Sequence, residues 1–363
     1  SSCRDYSPIY DRVCRSVARD IEILDLVRQA PPPAHQPNVL LGAVHFLLLD
    51  GLGHPLADVY AGRSNSDPAP LFRDVCLSNR DAILEIMETR RTQTNECGRS
   101  ALIGPALTWT ANRVAAEPGR AEAGAAEAGA PGPRTAEPRT AEPIHVIDVG
   151  TSAGLNLLCD RYLLDYGDKG TCGPKDAGVR IECAVQFGSP PIAPRLPRIG
   201  TRIGIDRNPV DTTDEDDVRW LLACVWPDTG RLERTEKAID EVRRNPLRIL
   251  KGDALDALPL ALDELPEKGE VCVLTTFSYS YFSLEERQRF VELLQQASSR
   301  RDITWISADG LNILPMFELV DPPNHDGNEP CVLGAVRFRD AASLESVVLA
   351  YVHAHGQWID WRA

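Results

Sequence analysis

The chain has 363 residues, 43% of them hydrophobic and 25% charged, with 53 acidic against 39 basic side chains and a formal net charge of -14. That length suits one large α/β domain with a smaller companion. The acidic excess argues against a nucleic-acid or anionic-membrane partner, because phosphate recognition concentrates Lys and Arg.

Ten cysteines are scattered with no C-x-x-C pair, so no metal centre is expected. Neither an apolar leader-like run nor a stretch of membrane-spanning length is evident. The expectation is a cytoplasmic protein with reduced thiols.

From about Tyr10 to Arg28, apolar side chains recur at helical spacing (Ile9, Val13, Val17, Ile21, Leu24, Val27) and predict one amphipathic helix. The run APPPAHQP breaks it. NVLLGAVHFLLLDG predicts a second, more apolar helix ending at Gly51 or Gly53. LFRDVCLSNRDAILEIMETRR reads as a third helix or a pair, and RSALIGPALTWTANR as a short helix interrupted by Pro105. Residues 1–115 therefore form an expected all-helical module. Within it His45 reads as a satisfied core histidine. His54 precedes Pro55 in a turn. Asn95, Glu96 and Arg99 precede a helix start, where an N-cap and a charge pair are the simpler reading and a site-facing role the alternative.

Residues 116–143 are low in complexity, with R-T-A-E-P twice in tandem and almost no apolar bulk to offset the entropy of ordering. They predict a disordered linker and a domain boundary. Residues 144–363 then predict an α/β domain.

HVIDVGTSAGLNLLCDRY opens that domain as a buried strand, a tight turn bracketed by Gly150 and Gly154, and a helix start. Amides at such a helix start can face an electron-rich group. The turn is not G-x-G-x-x-G, since Ser152 holds the second fingerprint position. An acid two residues before the first glycine of a G-x-x-x-G turn resembles the first motif of class I S-adenosylmethionine-dependent methyltransferases.

Residues 165–200 read as a β-excursion containing the alternating run VRIECAVQF. TRIGIDRNPVD predicts the second core strand, ending in Asp206, where an acid commonly holds ribose hydroxyls; Glu182 is the competing acid. DTTDEDDVRWLLACVWPD predicts a Thr-capped helix with an acidic start, and RLERTEKAIDEVRR another. LRILKGDALDALP predicts a third strand stopping before Asp253 and Ala254. EVCVLTTFSYSYF predicts a fourth strand and a turn carrying Thr276, Ser278, Tyr279 and Tyr281. A helix capped by Ser283 and Glu286 follows. DITWISADG predicts a fifth strand with Asp309 and Asn312 at its end. CVLGAVRFRD and SVVLAYVHAHGQWIDW predict two closing antiparallel strands, with His353 and His355 on one surface face of the last. Acids and hydroxyls thus gather at the C-terminal ends of successive strands, the edge where open α/β sheets bind ligands.

The phrases NVLLGAVHFLLLDGLGHPLADVY, TNECGRSALIGPAL, VGTSAGLNLLCDRYLLDYG and DVRWLLACVWPD resemble the uncharacterised prokaryotic family known as domain of unknown function 2332, as do KGDALDALP and GQWIDW. The resemblance covers nearly the whole chain outside the low-complexity run. It implies a Rossmann-like methyltransferase-type sheet, mostly parallel with an antiparallel C-terminal strand, behind a helical N-terminal domain. In that family the turn after the fourth strand often carries a histidine; this chain has FSYS there, so the resemblance assigns no general base.

The two resemblances together imply S-adenosylmethionine as cofactor and a small-molecule methyl acceptor. Asp148, Gly150, Thr151, Ser152, Gly154 and Asn156 would shape the methionine pocket. Asp206 and Asn208 would serve the ribose, and Asp253 and Ala254 the adenine. Ser278, Tyr279, Tyr281 and Asp309 are catalytic candidates. His54, Asn95, Glu96 and Arg99 are candidates to face substrate from the helical part. The alternative is a non-catalytic module that senses the cofactor or a nucleotide. Phosphoryl transfer is disfavoured by the absence of a Walker lysine motif.

Overall fold

The computed structural model describes residues 6–117, 142–323 and 330–363. The expected linker lies outside the described residues, apart from its two residues at each end. Contacts group the chain into two compact units, Ser1–Asn95 with Val210–Arg243, and Glu96–Pro209 with Arg244–Ala363.

The described part of the first unit is helical. Its chain order is Pro8–Val17, Ile21–Gln29, Pro37–Leu49, Leu56–Tyr60, Pro68–Ser78, Arg80–Thr89, Glu215–Ala223 and Leu232–Arg244. The periodic run predicted as one helix is two, because the Asp20 carboxylate accepts from the amides of Glu22 and Ile23 and starts a new helix there. Asp214, not a threonine, caps Glu215–Ala223. The core gathers Val39, Leu40, Val44, Leu56, Phe72 and Val75 around Trp220. Each such side chain taken from water contributes about 1.5–3 kcal/mol before entropy is counted. His45 lies in this core with Nδ1 3.1 Å from the Ala223 carbonyl, and burial pushes its pKa down to about 4.

The second unit is built on strands β1 (Ile144–Val149), β2 (Leu163–Asp165), β3 (Thr171–Cys172), β4 (Arg180–Glu182), β5 (Ala184–Phe187), β6 (Ile199–Asp206), β7 (Arg248–Lys251), β8 (Glu270–Thr276), β9 (Ile303–Gly310), β10 (Cys331–Arg339), β11 (Ala342–Val352) and β12 (Trp358–Trp361). Nine of them form one sheet in the order β5-β12-β11-β10-β9-β8-β1-β6-β7, and β3-β2-β4 form a small second sheet. The five strands β7, β6, β1, β8 and β9 run parallel. From β1 the chain moves outward through β6 to β7, then returns to β8 on the other side of β1. The direction of winding therefore reverses between β1 and β8. β1, β8 and β9 are buried almost throughout, as central parallel strands with both faces covered must be.

Two expectations are corrected at the sheet's far edge. VRIECAVQF is divided at Cys183 between β4 in the small sheet and β5 in the large one. The closing pair of strands is three successive antiparallel strands, β10 to β12. The predicted last strand is cut by a turn at 353–357, where Gly356 takes φ +74. His353 and His355 therefore sit in a turn.

Two more corrections concern helices of this unit. Ser100–Ala115 continues through Pro105 over 16 residues. Pro105 has no amide hydrogen for the Ala101 carbonyl, and the Tyr166 hydroxyl donates to that oxygen instead, at 2.9 Å. The helix expected after Gly154 is only a seven-residue 3-10 segment, Leu155–Arg161, kinked at Leu158. The Leu155 carbonyl accepts from Tyr162 Oη at 2.7 Å and that of Leu157 from Arg202 Nη1 at 2.7 Å. So short and tight a segment supplies little macrodipole to a ligand.

Candidate functional site

β1 delivers Asp148 to the sheet's C-terminal edge, and the turn that follows is shaped by its glycines. Gly150 takes φ +82 and Gly154 φ +80, conformations that cost a side-chain-bearing residue energy. Space adds a second demand at Gly150, where a Cβ would lie 2.5 Å from Cβ of Ser278. That closeness serves the fold, since Ser278 Oγ donates to the Val149 carbonyl at 2.6 Å. The turns after β1 and β8 are clasped together at the point where the winding reverses, the position at which open α/β sheets form a ligand crevice.

The loop is held from β6 as well. Asp206 Oδ2 accepts from the Ser152 amide at 2.8 Å, and its Oδ1 accepts from the Asn208 amide at 2.8 Å. Ser152 itself takes φ +53, a strained conformation for a serine that this bond helps to hold. Gly204 in β6 leaves room for Thr151, whose Cγ2 would be 2.5 Å from a Cβ there. Asn156 Oδ1 accepts from Ser100 Oγ at 3.1 Å, tying the segment after the loop to the start of Ser100–Ala115.

Asp148 is 1% exposed. Its Oδ2 accepts from Thr151 Oγ1 at 2.9 Å, while Oδ1 is buried with no hydrogen-bond partner among the described residues. Burial raises its pKa to about 6; the Thr151 bond and the charge of Arg99 oppose the rise, and the charge of Asp206 adds to it. A buried acceptor left unsatisfied in this way costs about 1–3 kcal/mol, and it marks a place where a donor or cation would be stabilised.

Arg99 reaches the end of β8 and is 6% exposed. Its Nη1 donates to the Thr276 carbonyl and its Nε to the Ala354 carbonyl, both at 3.1 Å. Its guanidinium lies 4.3 Å from the centroid of the Phe277 ring. Phe277 takes φ +60, unusual for an aromatic residue. Glu96 is buried, with Oε1 accepting from the Gly98 amide at 2.7 Å.

The remaining predicted residues fall into distinct roles. Asp309 is buried at the end of β9 and accepts from the Ser280 and Gly310 amides at 2.9 Å each; burial outweighs these bonds and raises its pKa. Tyr279 packs into the core against Phe290 and Trp305. Tyr281 is 79% exposed. Asp253 caps the helix Ala254–Asp263 by accepting from the Leu255 amide at 2.9 Å, and Ala254 is that helix's first residue. Despite partial burial, that amide and Arg207 hold the Asp253 carboxyl below its ordinary pKa. Glu182 lies in the small sheet beside Arg180. His54 and Asn95 belong to the helical unit. There the Leu56 amide donates to His54 Nδ1 at 3.1 Å, and His54 Nε2 lies 3.2 Å from Asp74.

The geometry thus unites Asp148, Gly150–Gly154, Asp206, Ser278 and Arg99 at one edge. The family model described as "Uncharacterized protein conserved in bacteria (DUF2332)" matches residues 1–130 and 122–361. The chain belongs to this family. No curated protein and no solved structure matches it.

In this DUF2332 chain two contributors escape a reading of the sequence. Gly204 reads as an ordinary strand residue until Thr151 is seen against it. The alternating run puts His355 on a strand surface, yet its Nδ1 lies 3.9 Å from Glu96 Oε2. The signal for it is Gly356, a turn former inside that run and directly after His355. Among the described residues no cluster of His, Cys, Asp and Glu could hold a metal ion, and no helix is long and apolar enough to cross a membrane.

Proposed function

We propose that this edge binds S-adenosylmethionine and that the protein transfers its methyl group to a small-molecule acceptor. The observation that carries the reading is Asp148: a buried acid at the end of the first strand, one oxygen unpartnered among the described residues, beside a glycine turn. The cofactor's methionine part carries an ammonium group, a donor of the kind that oxygen lacks. The same residues fit the rest of the group. Gly150 and Gly154 supply the positive φ angles on which the turn depends, and Asp206 presents a carboxylate at the end of β6. The strand order β7-β6-β1-β8-β9 supports a nucleotide-type crevice between β1 and β8.

The bound sulfonium supplies an activated methyl group. The chain's own residues then have mainly to align donor and acceptor. Thr151 and Asp206 fix the loop, Ser278 fixes the adjoining turn, and Arg99 braces the end of β8.

One observation favours a second reading, a cofactor-sensing module without catalysis. Ser278 donates to Val149 and Tyr279 is packed in the core, so two of the catalytic candidates of the β8 turn are committed to the fold.

Calorimetric titration with S-adenosylmethionine and S-adenosylhomocysteine tests the proposal. Wild-type protein should bind in the micromolar range, with affinity at least about tenfold weaker in Asp206→Ala. Absence of binding at millimolar ligand would sink both readings. Binding without turnover across a broad acceptor screen would favour the sensor.

A further inference from the structure

The segment Glu96–Arg99 and the turn His353–Gly356 are pressed together at the end of β8. A Cβ on Gly356 would lie 2.1 Å from the Gly98 carbonyl oxygen, so the two backbones are in direct contact. Arg99 fastens them to the site: one guanidinium reaches both the Ala354 carbonyl, between the two histidines, and the Thr276 carbonyl at the end of β8. His353 Nδ1 accepts from the His355 amide at 3.1 Å, which fixes the turn and requires that nitrogen to be unprotonated.

In this frame Glu96 and His355 face each other. The Glu96 side chain is 2% exposed and that of His355 24%. Glu96 Oε1 is tied to the Gly98 amide, and Oε2 is directed to His355 Nδ1 at 3.9 Å. That separation is an ion-pair distance rather than a hydrogen bond, and such pairs often tighten only when a ligand closes the site. A buried carboxylate directed at one ring nitrogen of a more exposed imidazole is the arrangement that orients a histidine as a base through its other nitrogen.

We propose that Glu96 and His355 form the acid–base pair of this site, with His355 taking the proton of a protic acceptor, a hydroxyl or an amine. The inference rests on the methyl-transfer reading. The acceptor's oxygen or nitrogen forms its bond to the methyl carbon as the carbon–sulfur bond breaks, and that electron pair stays on sulfur. The acceptor's proton passes to Nε2 of His355, and Glu96 stabilises the resulting imidazolium. His355 is the catalytic residue and Glu96 the positioning one.

The groups around His355 include Glu96, the His353 ring 5.6 Å away centroid to centroid, and Arg99 through the Ala354 carbonyl. The test follows the histidine signals by nitrogen-15 NMR in the full chain, with His355 assigned from His355→Asn. In wild type the neutral ring of His355 should carry its proton on Nδ1. In Glu96→Gln it should bind its second proton about tenfold more weakly, and Glu96→Asp should restore part of that difference. Saturating S-adenosylhomocysteine should move the His355 signals. Identical His355 titrations in wild type and a folded Glu96→Gln protein overturn the pair, whatever calorimetry says of the cofactor. A wild-type protein that binds no S-adenosylhomocysteine overturns the methyl-transfer reading and, with it, the acceptor role given to His355.

Discussion

The Tyr166 hydroxyl occupies the hydrogen-bonding position that Pro105 leaves vacant, donating to the Ala101 carbonyl four residues before the proline. A proline inside a helix ordinarily costs about 3 kcal/mol, from the lost bond and the clash with the preceding turn. Here the freed carbonyl is buried and satisfied. Tyr166→Phe should therefore destabilise the protein by about 1–3 kcal/mol, the cost of an orphaned buried acceptor. In a Pro105→Ala background the same change should cost less, because the amide hydrogen regained at that position can return to the Ala101 carbonyl. Urea unfolding of the four proteins in this double-mutant cycle checks the coupling; equal costs in both backgrounds would show that the hydroxyl does not stand in for the amide.

Gly150 makes a prediction through both conformation and space. Its φ of +82, and the 2.5 Å at which a Cβ would meet Ser278, together disfavour any side chain. Gly150→Ala should cost about 1–3 kcal/mol from the backbone alone, and more from the clash. Pairing it with Ser278→Gly should recover the steric part and not the backbone part. Thermal unfolding of the single and double variants separates the two.

Asp206 should act through the loop it pins. Asp206→Asn keeps one oxygen acceptor where two amides, those of Ser152 and Asn208, now donate to a carboxylate. Loss of one charged-acceptor bond should cost about 1.5–3 kcal/mol if the bond counts fully, and less because the carboxylate is partly exposed. Amide hydrogen exchange at Ser152 and Asn208 should accelerate in the variant. Unchanged exchange at both would show that the loop holds its shape without the acid.

Much of this arrangement is readable in the sequence, and the failures have identifiable causes. β1, β6, β8 and β9 are legible because inner strands of the sheet appear as short apolar runs ending in turn formers, and the edge strand β7 is legible from the Gly252-Asp253 turn that ends it. The capping box of Ser283 and Glu286 is legible because its signal is local. Pro105 misleads because its compensation comes from Tyr166, 61 positions along the chain from it. The segment after Gly154 misleads for a related reason: helical spacing is present, but Tyr162 and Arg202 take the carbonyls at Leu155 and Leu157. At the site, the acids at strand ends are evident from spacing. The clasp of Ser278 on Val149 and the meeting of Glu96 with His355 depend on tertiary contacts that no spacing encodes.

Asp148 links the site to pH. Its folded-state pKa of about 6 lies above the ordinary aspartate value of 3.8, chiefly because burial disfavours the carboxylate. Between those values the native protein binds more protons at this residue than the unfolded chain does. The slope of stability with pH is then negative, so its contribution is greatest below about pH 4, declines as pH rises, and has been lost above about pH 6. The difference across that window is of the order of 3 kcal/mol for this one group. Asp148→Asn removes the titration while keeping an acceptor for Thr151. Relative to wild type the variant should gain stability as pH rises from about 4 to about 7, and it should lose affinity for a cationic ligand at neutral pH. Denaturant unfolding of both proteins at several pH values gives the comparison, in which other titrating groups such as His45 cancel. A stability difference that stays constant across that range would mean that Asp148 remains ionised throughout, with a partner for Oδ1 already in place.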